Sequence, residues 1–255
     1  MAEDARKDDG LPLHTALYLE PTYWNDRFTK EDHYEWFKDY THFRHLILAN
    51  VKPTDKVLEV GCGNSQMGME MYKDGITQII RTDLSPVAVK RMEEKSDALG
   101  YKEIRHQVAD MLNLPYEDGT FDVVIEKGTV DVLFVDSGDP WNPSPDVVSR
   151  VEGMLKETHR VLTSDGIFIS IAFGQPHFRR PFFEVKGLTW TMKWDTFGDS
   201  FHYFFYKLRK GTKDEKQGPS DPLPLQENSK VTFNLEHEYM DNEDYLLHST
   251  LADDE

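Results

Sequence analysis

Short apolar runs closed by glycine or polar turns set the rhythm of this chain. Val57, Leu58 and Val60 form the first, interrupted only by Glu59 and ended by Gly61-Cys62-Gly63, which is the pattern of a buried strand running into a tight turn. Similar β-prone runs predict strands over residues 78–82, 104–109, 121–125 and 167–173, the last two opened by Asp118-Gly119 and Asp165-Gly166 turns. Between them the period changes to that of a helix. Val87, Val89 and Met92 follow the cap-and-first-turn pair Ser85-Pro86 and run to a stop at Gly100. Ser144-Pro145 opens a second helix whose buried stripe is Val147, Val148, Val151, Met154, Leu155, Val161 and Leu162. Upstream, Trp36, Phe37, Tyr40, Phe43 and Ile47 recur at helical spacing and predict a helix over 31–49.

The alternation changes again near the C-terminal side. Leu188, Trp190, Met192 and Trp194 alternate with Thr189, Thr191, Lys193 and Asp195, and after Gly198-Asp199 an apolar run covers 201–208. That reads as a hairpin, so the expected fold is α/β, a doubly wound seven-stranded sheet that is mostly parallel with an antiparallel edge hairpin.

Charge and composition narrow the classes of function. The chain has 255 residues, enough for one large α/β domain, and a net charge of −17. Residues 211–255 carry Lys213, Lys216 and Lys230 against twelve carboxylates, so about half of the excess sits in an acidic linker and tail with Pro219, Pro222 and Pro224. Nucleic acid is disfavoured as a partner because phosphate binding needs a basic footprint, whereas a positively charged protein would be attracted. No run approaches a membrane span, and residues 1–17 read as a flexible, acidic start without a secretory or transit pattern. With the single cysteine, Cys62, this points to a cytoplasmic protein. The expected domain covers 18–210, and 231–235 reads as a further short strand. Asp139-Pro140-Trp141 reads as part of a surface loop. His33, His42 and His45 lack an accompanying ligand set, so no metal is expected.

The candidate chemistry gathers at predicted strand ends. A dinucleotide fingerprint would need a third glycine where Gln66 stands, which weakens a nicotinamide reading. Glu59, at the carboxyl end of the first strand, suits a ligand bearing an amino group. Asp83 lies 20 residues after Gly63 at the end of the second strand, the distance at which a βαβ unit sets a carboxylate on a ribose diol. Asp110, after the third strand, is placed to accept from an adenine amino group with Met111 against the ring, or is simply a loop acid. The aromatic residues Tyr18, Tyr23, Trp24 and Phe28, with the stripe at Trp36, form either a packed helix face or a lid. Glu126 and Asp131, past the fourth strand, are candidates for orienting an ammonium, with helix capping an equal alternative for Asp131.

Glu59-Val60-Gly61-Cys62-Gly63 resembles the first motif of the Rossmann-like, seven-β-strand S-adenosylmethionine methyltransferases, and the resemblance extends over about residues 18–210. More narrowly, Tyr23-Trp24, Arg27-Phe28, Tyr34-Glu35-Trp36-Phe37, Leu58 to Ser65 and Glu126-Lys127-Gly128-Thr129-Val130-Asp131 are similar to the methyltransferase-like enzymes that modify lysines of translation elongation factor 1-alpha. Glu-Lys-Gly-Thr is the most specific of these stretches. The resemblance implies S-adenosyl-L-methionine as cofactor and cofactor contacts from Trp24, Phe28, Trp36, Gly61, Asp83, Leu84, Asp110, Met111 and Lys127, with Glu59 and Gly63 in the same loop. Phe28 stands where relatives carry tyrosine, so no side-chain hydrogen bond is expected there. A protein substrate, elongation factor 1-alpha, and a monomeric enzyme follow as expectations. A small-molecule methyltransferase of the same fold and a cofactor-binding scaffold without turnover are the rival readings.

Overall fold

A computed structural model describes residues 15–135, 137, 142–199 and 201–213. The Asp139-Pro140-Trp141 loop, the strand expected at 231–235 and the acidic tail lie outside the described residues. A 3-10 turn at Thr15–Leu19 precedes helices α1 (Pro21–Lys30) and α2 (Tyr40–Asn50). Then come β1 (Val57–Val60), α3 (Met67–Lys73), β2 (Ile79–Asp83), α4 (Pro86–Ala98), β3 (Arg105–Val108), β4 (Phe121–Lys127) and α5 (Thr129–Leu133). The remaining elements are α6 (Pro145–Val161), β5 (Leu162–Ala172), α7 (Pro176–Phe183), β6 (Met192–Phe197) and β7 (Tyr203–Arg209).

The strands form one seven-stranded sheet in the order β3-β2-β1-β4-β5-β7-β6. Strands β1 to β5 pair in parallel, while β7 runs antiparallel to both β5 and β6. The hairpin read from the Leu188–Trp194 alternation thus forms the antiparallel edge. Alternate side chains bury on opposite faces, as a doubly covered sheet demands. Leu58, Val60, Val124 and Phe168 join one core with Val151, Met154 and Leu155 of α6. Val57, Val123, Ile125, Ile167 and Ile169 join the other with Phe43 and Ile47 of α2 and Met67 and Met71 of α3.

Two expectations change. The helix predicted over 31–49 starts only at Tyr40, where Asp39 caps it by accepting from Thr41 N at 2.9 Å. Residues ahead of it are irregular: Phe37 has φ +68°, an uncommon conformation for a bulky side chain, and is held by stacking on Tyr203 at 5.4 Å. The Asp165-Gly166 turn lies within β5, where the pairing register with β4 shifts between Phe121 and Val123. At the far end, Lys213 N donates to Thr189 O at 3.0 Å and its Nζ to Glu184 O at 3.2 Å, so residues 211–213 continue the packed unit.

Candidate active site

The chain leaves β1 toward β2 and β3 on one side and returns through β4 and β5 on the other, so the crevice between the carboxyl ends of β1 and β4 is the switch point of the sheet. A cavity of about 280 Å³ lies there. Its floor is the β1 turn. Gly61 and Gly63 have φ of +65° and +47°, and a Cβ on Gly61 would lie 2.2 Å from Thr129 Oγ1, so α5 presses directly on this loop. Gly128, at φ +77°, makes the sharp entry into α5 that puts Thr129 there. The Glu-Lys-Gly-Thr stretch therefore shapes the floor from β4, as Gly61 does from β1. Close helix packing on β1, the role of a third glycine, falls to Gly68: a Cβ there would stand 2.6 Å from both Arg81 Nε and Glu59 Oε2.

All of the proposed cofactor residues line this cavity: Trp24, Phe28, Trp36, Glu59, Gly61, Gly63, Asp83, Leu84, Asp110, Met111 and Lys127. Their chemical states differ from what sequence alone suggested. Glu59 has both oxygens on Arg81, at 2.6 and 3.1 Å, directly opposite it in the β1–β2 register and fully buried. Its carboxylate is thus held in a buried ion pair at the edge of the cavity. Lys127 Nζ is likewise engaged, by Glu35 Oε2 at 2.9 Å and Trp36 O at 2.8 Å. Asp83 accepts from Gly63 N and Ser85 N, both at 2.8 Å, which aims its carboxylate across the glycine turn while leaving acceptor capacity on each oxygen. Burial pushes its carboxyl above the ordinary range against these two N–H donors. Exposed Asp110 accepts from Leu112 N at 2.8 Å through one oxygen only.

The other wall is aromatic. Trp24 stacks on Phe28 at 5.6 Å and on Tyr18 at 5.5 Å, its Nε1 donating to Tyr18 O. Phe28 lies against the Gly63 turn, consistent with apolar contact alone. The sequence reading missed α1, and with it the buried guanidinium of Arg27, which sits 4.5 Å over Tyr34 while paired with Glu31. It also gave no role to Arg150 of α6 or to Val132 and Leu133 of α5, which line the cavity as well. Only the neighbouring Glu-Lys-Gly-Thr motif could have drawn attention to α5. Cys62 is buried, and burial raises its thiol well above the usual value, so no nucleophile lies at the turn.

Residues 52–203 match the family model described as a methyltransferase domain. This chain belongs to the seven-strand S-adenosylmethionine-dependent methyltransferases. EEF1A lysine methyltransferase 4 of mouse is 34% identical over 204 residues, covering 79% of each chain, and the bovine protein of the same name is 35% identical over the same span. A fruit-fly eEF1A lysine and N-terminal methyltransferase homolog is 34% identical over 169 residues, 66% of this chain and 24% of that longer one. Among solved structures, a SAM-dependent methyltransferase from Aquifex aeolicus superposes with a TM-score of 0.50 at 16% identity, covering 72% of this chain and 97% of that one. A chain from the Haloferax volcanii Trm112–methyltransferase complex gives 0.53 at 16% identity, covering 76% and 96%. These two structures speak for the fold.

The cavity suits the cofactor of this methyltransferase family. Asp83 and Asp110 offer acceptors for hydroxyl and amino donors, aromatic faces offer a home to a sulfonium, and the two glycines allow backbone approach.

Glu126 and Asp131, expected to orient an ammonium, are not among the residues that line the cavity. Glu126 is the cap of α5, accepting from Thr129 N at 2.8 Å and Val130 N at 3.0 Å, and it also accepts from Ser170 Oγ. Asp131 ties α5 to the end of β5 through Phe173 N at 2.9 Å, Gly174 N at 3.2 Å and Arg179. Both carboxylates spend their lone pairs behind the wall.

Glu126 carries a pH prediction. Burial, with the Asp131 carboxylate second, raises it from 4.5 to about 7. Between those values the folded enzyme retains a proton that the unfolded chain has released, so this group's contribution to stability falls as pH rises through the window and is lowest above it. Glu126→Gln keeps an acceptor for the two N–H groups and cannot ionise. We expect its stability relative to wild type to rise between pH 5 and 7.5, by up to about 3 kcal/mol, in denaturant unfolding at stepped pH. Parallel curves for the two proteins would refute the assignment.

Proposed function

We propose that this methyltransferase acts on lysine side chains of a protein, with translation elongation factor 1-alpha as the substrate, working as a monomer in the cytoplasm and not on nucleic acid or membranes. The observation that carries this reading is the similarity to EEF1A lysine methyltransferase 4 across 79% of both chains. The acidic chain suits a basic protein partner. No described helix is long and apolar enough to cross a membrane.

S-adenosylmethionine supplies a methyl on a positively charged sulfur, ready for in-line displacement by an amine. The chain's own task is then alignment and exclusion of water. In this reading Asp83 holds the ribose diol, Asp110 accepts from the adenine amine beside Met111, and Trp24, Phe28 and Trp36 close the opposite side. A lysine ammonium, with a reference pKa of about 10.4, has no lone pair and must lose its proton before reacting. Entry into an aromatic-walled cavity favours that loss by desolvation, so no carboxylate base is required at the wall.

The test is to incubate the protein with methyl-labelled S-adenosylmethionine and elongation factor 1-alpha, then map the label by mass spectrometry. Label on a lysine of the factor is expected. Label recovered only in small molecules, or no turnover despite cofactor binding, would overturn the substrate assignment.

A further inference from the structure

We propose that Glu35 and Lys127 are positioning residues, a polar latch that holds residues 31–39 over the cavity and thereby sets the rate at which cofactor product leaves. This rests on the cofactor reading given above. Lys127 ends β4, and its side chain is only 4% exposed and paired with Glu35. Among the described residues its hydrogen bonds run to the segment in front of α2, to Glu35 Oε2 and Trp36 O, across 92 and 91 residues of chain. Glu35 in turn accepts from Ser65 Oγ at 2.8 Å and from Gln66 N at 2.7 Å. One carboxylate thus joins three parts of the cavity frame: the glycine turn after β1, the end of β4 and the aromatic segment.

The placement gives the junction its meaning. Tyr34 and Trp36, the neighbours of Glu35, both line the cavity. Residues 31–39 contain neither helix nor strand, so side-chain anchors hold them where a backbone ladder does not. The next residue, Phe37, sits at φ +68°, a conformation that persists only when its surroundings impose it. A buried ion pair contributes little net stability while intact, yet losing either member is costly, which makes such a pair specific in geometry. Phe37 is buried in the core on Tyr203 and anchors the end of the segment, so the latch governs the residues ahead of it, which polar contacts hold over the cavity as a gate for cofactor exchange requires.

If the latch sets the closed fraction, apparent affinity scales with that fraction. The experiment measures release of S-adenosylhomocysteine from the full-length protein by stopped-flow displacement, alongside hydrogen exchange of the 33–37 amides. Glu35→Gln and Lys127→Met are each expected to speed release about 10–100-fold and to lose protection at 33–37, with Glu35→Gln/Lys127→Met no worse than the stronger single variant. Lys127→Arg should restore most of the slow release. A separate thermal unfolding midpoint for each variant shows whether the core has been disturbed. A direct contact between Lys127 and the ligand would give a different result: Glu35→Gln near wild type, Lys127→Met impaired, and additive effects. That pattern overturns the latch while leaving the cofactor reading standing. Failure of the wild-type protein to bind S-adenosylhomocysteine would overturn both.

Discussion

Arg81→Leu is expected to cost about 3–5 kcal/mol of folding stability in denaturant unfolding, because it leaves the Glu59 carboxylate buried without a counter-ion. Arg81 is wholly inaccessible and faces Glu59 across the β1–β2 register. Burial works against its charge, but the Glu59 carboxylate outweighs that cost and holds the guanidinium above its usual pKa. A third bond, from Arg81 Nη2 to Ser65 O at 2.7 Å, ties the pair to the cavity loop, and Gly68 lets α3 settle directly on it. The partner substitution is informative. Arg81→Leu combined with Glu59→Leu should recover much of the loss, since replacing both members of a buried pair with apolar groups is often neutral. A single-variant loss under about 1 kcal/mol would show that the pair is solvated, and the structural role assigned to Glu59 would fall with it.

The second large effect is on the cofactor. Asp83→Ala should weaken S-adenosylhomocysteine binding by about 10–150-fold in calorimetric titration, the range for losing hydrogen bonds to a charged group. Part of that arises before any ligand arrives, because Asp83 also fixes Gly63 N and Ser85 N. Asp83→Asn separates the two contributions: it keeps an acceptor oxygen near the turn but lacks the charge and one acceptor needed for a diol. It should fall between wild type and alanine in affinity while unfolding close to wild type. Affinity unchanged in both variants would remove Asp83 from the ribose position.

Where side chains pack by repeating apolar contact, the sequence was readable. The runs at 57–60, 121–125 and 167–173 became central strands because strands covered on both faces need continuous apolar residues. The alternation after Leu188 became an edge for the complementary reason. Helix α1 was harder to see because its buried positions are Tyr23, Arg27 and Phe28, with a guanidinium in the stripe. Helix α7 opens on Pro176, as α4 and α6 open on prolines, but it carries Pro181 within it, a residue that usually argues against a helix. The aromatic spacing from Trp36 to Ile47 suggested one helix, yet Trp36 and Phe37 reach the cavity and core through an irregular turn that no helical period encodes. Glu59 and Lys127 line the cavity, but what they pair with depends on register and on a contact 92 residues away. Glu126 and Asp131 illustrate the same limit: their proximity to the fourth strand's end was legible, and the direction of their side chains was not.

The most direct measurement is a crystal structure of the full-length protein grown with S-adenosylhomocysteine. The ligand is expected along the Gly61–Gly63 turn, its ribose on Asp83, its adenine beside Asp110 and Met111, and its sulfur facing the wall formed by Trp24 and Trp36. Ligand bound away from the β1–β4 crevice, or the crevice filled by side chains in the complex, would contradict the account.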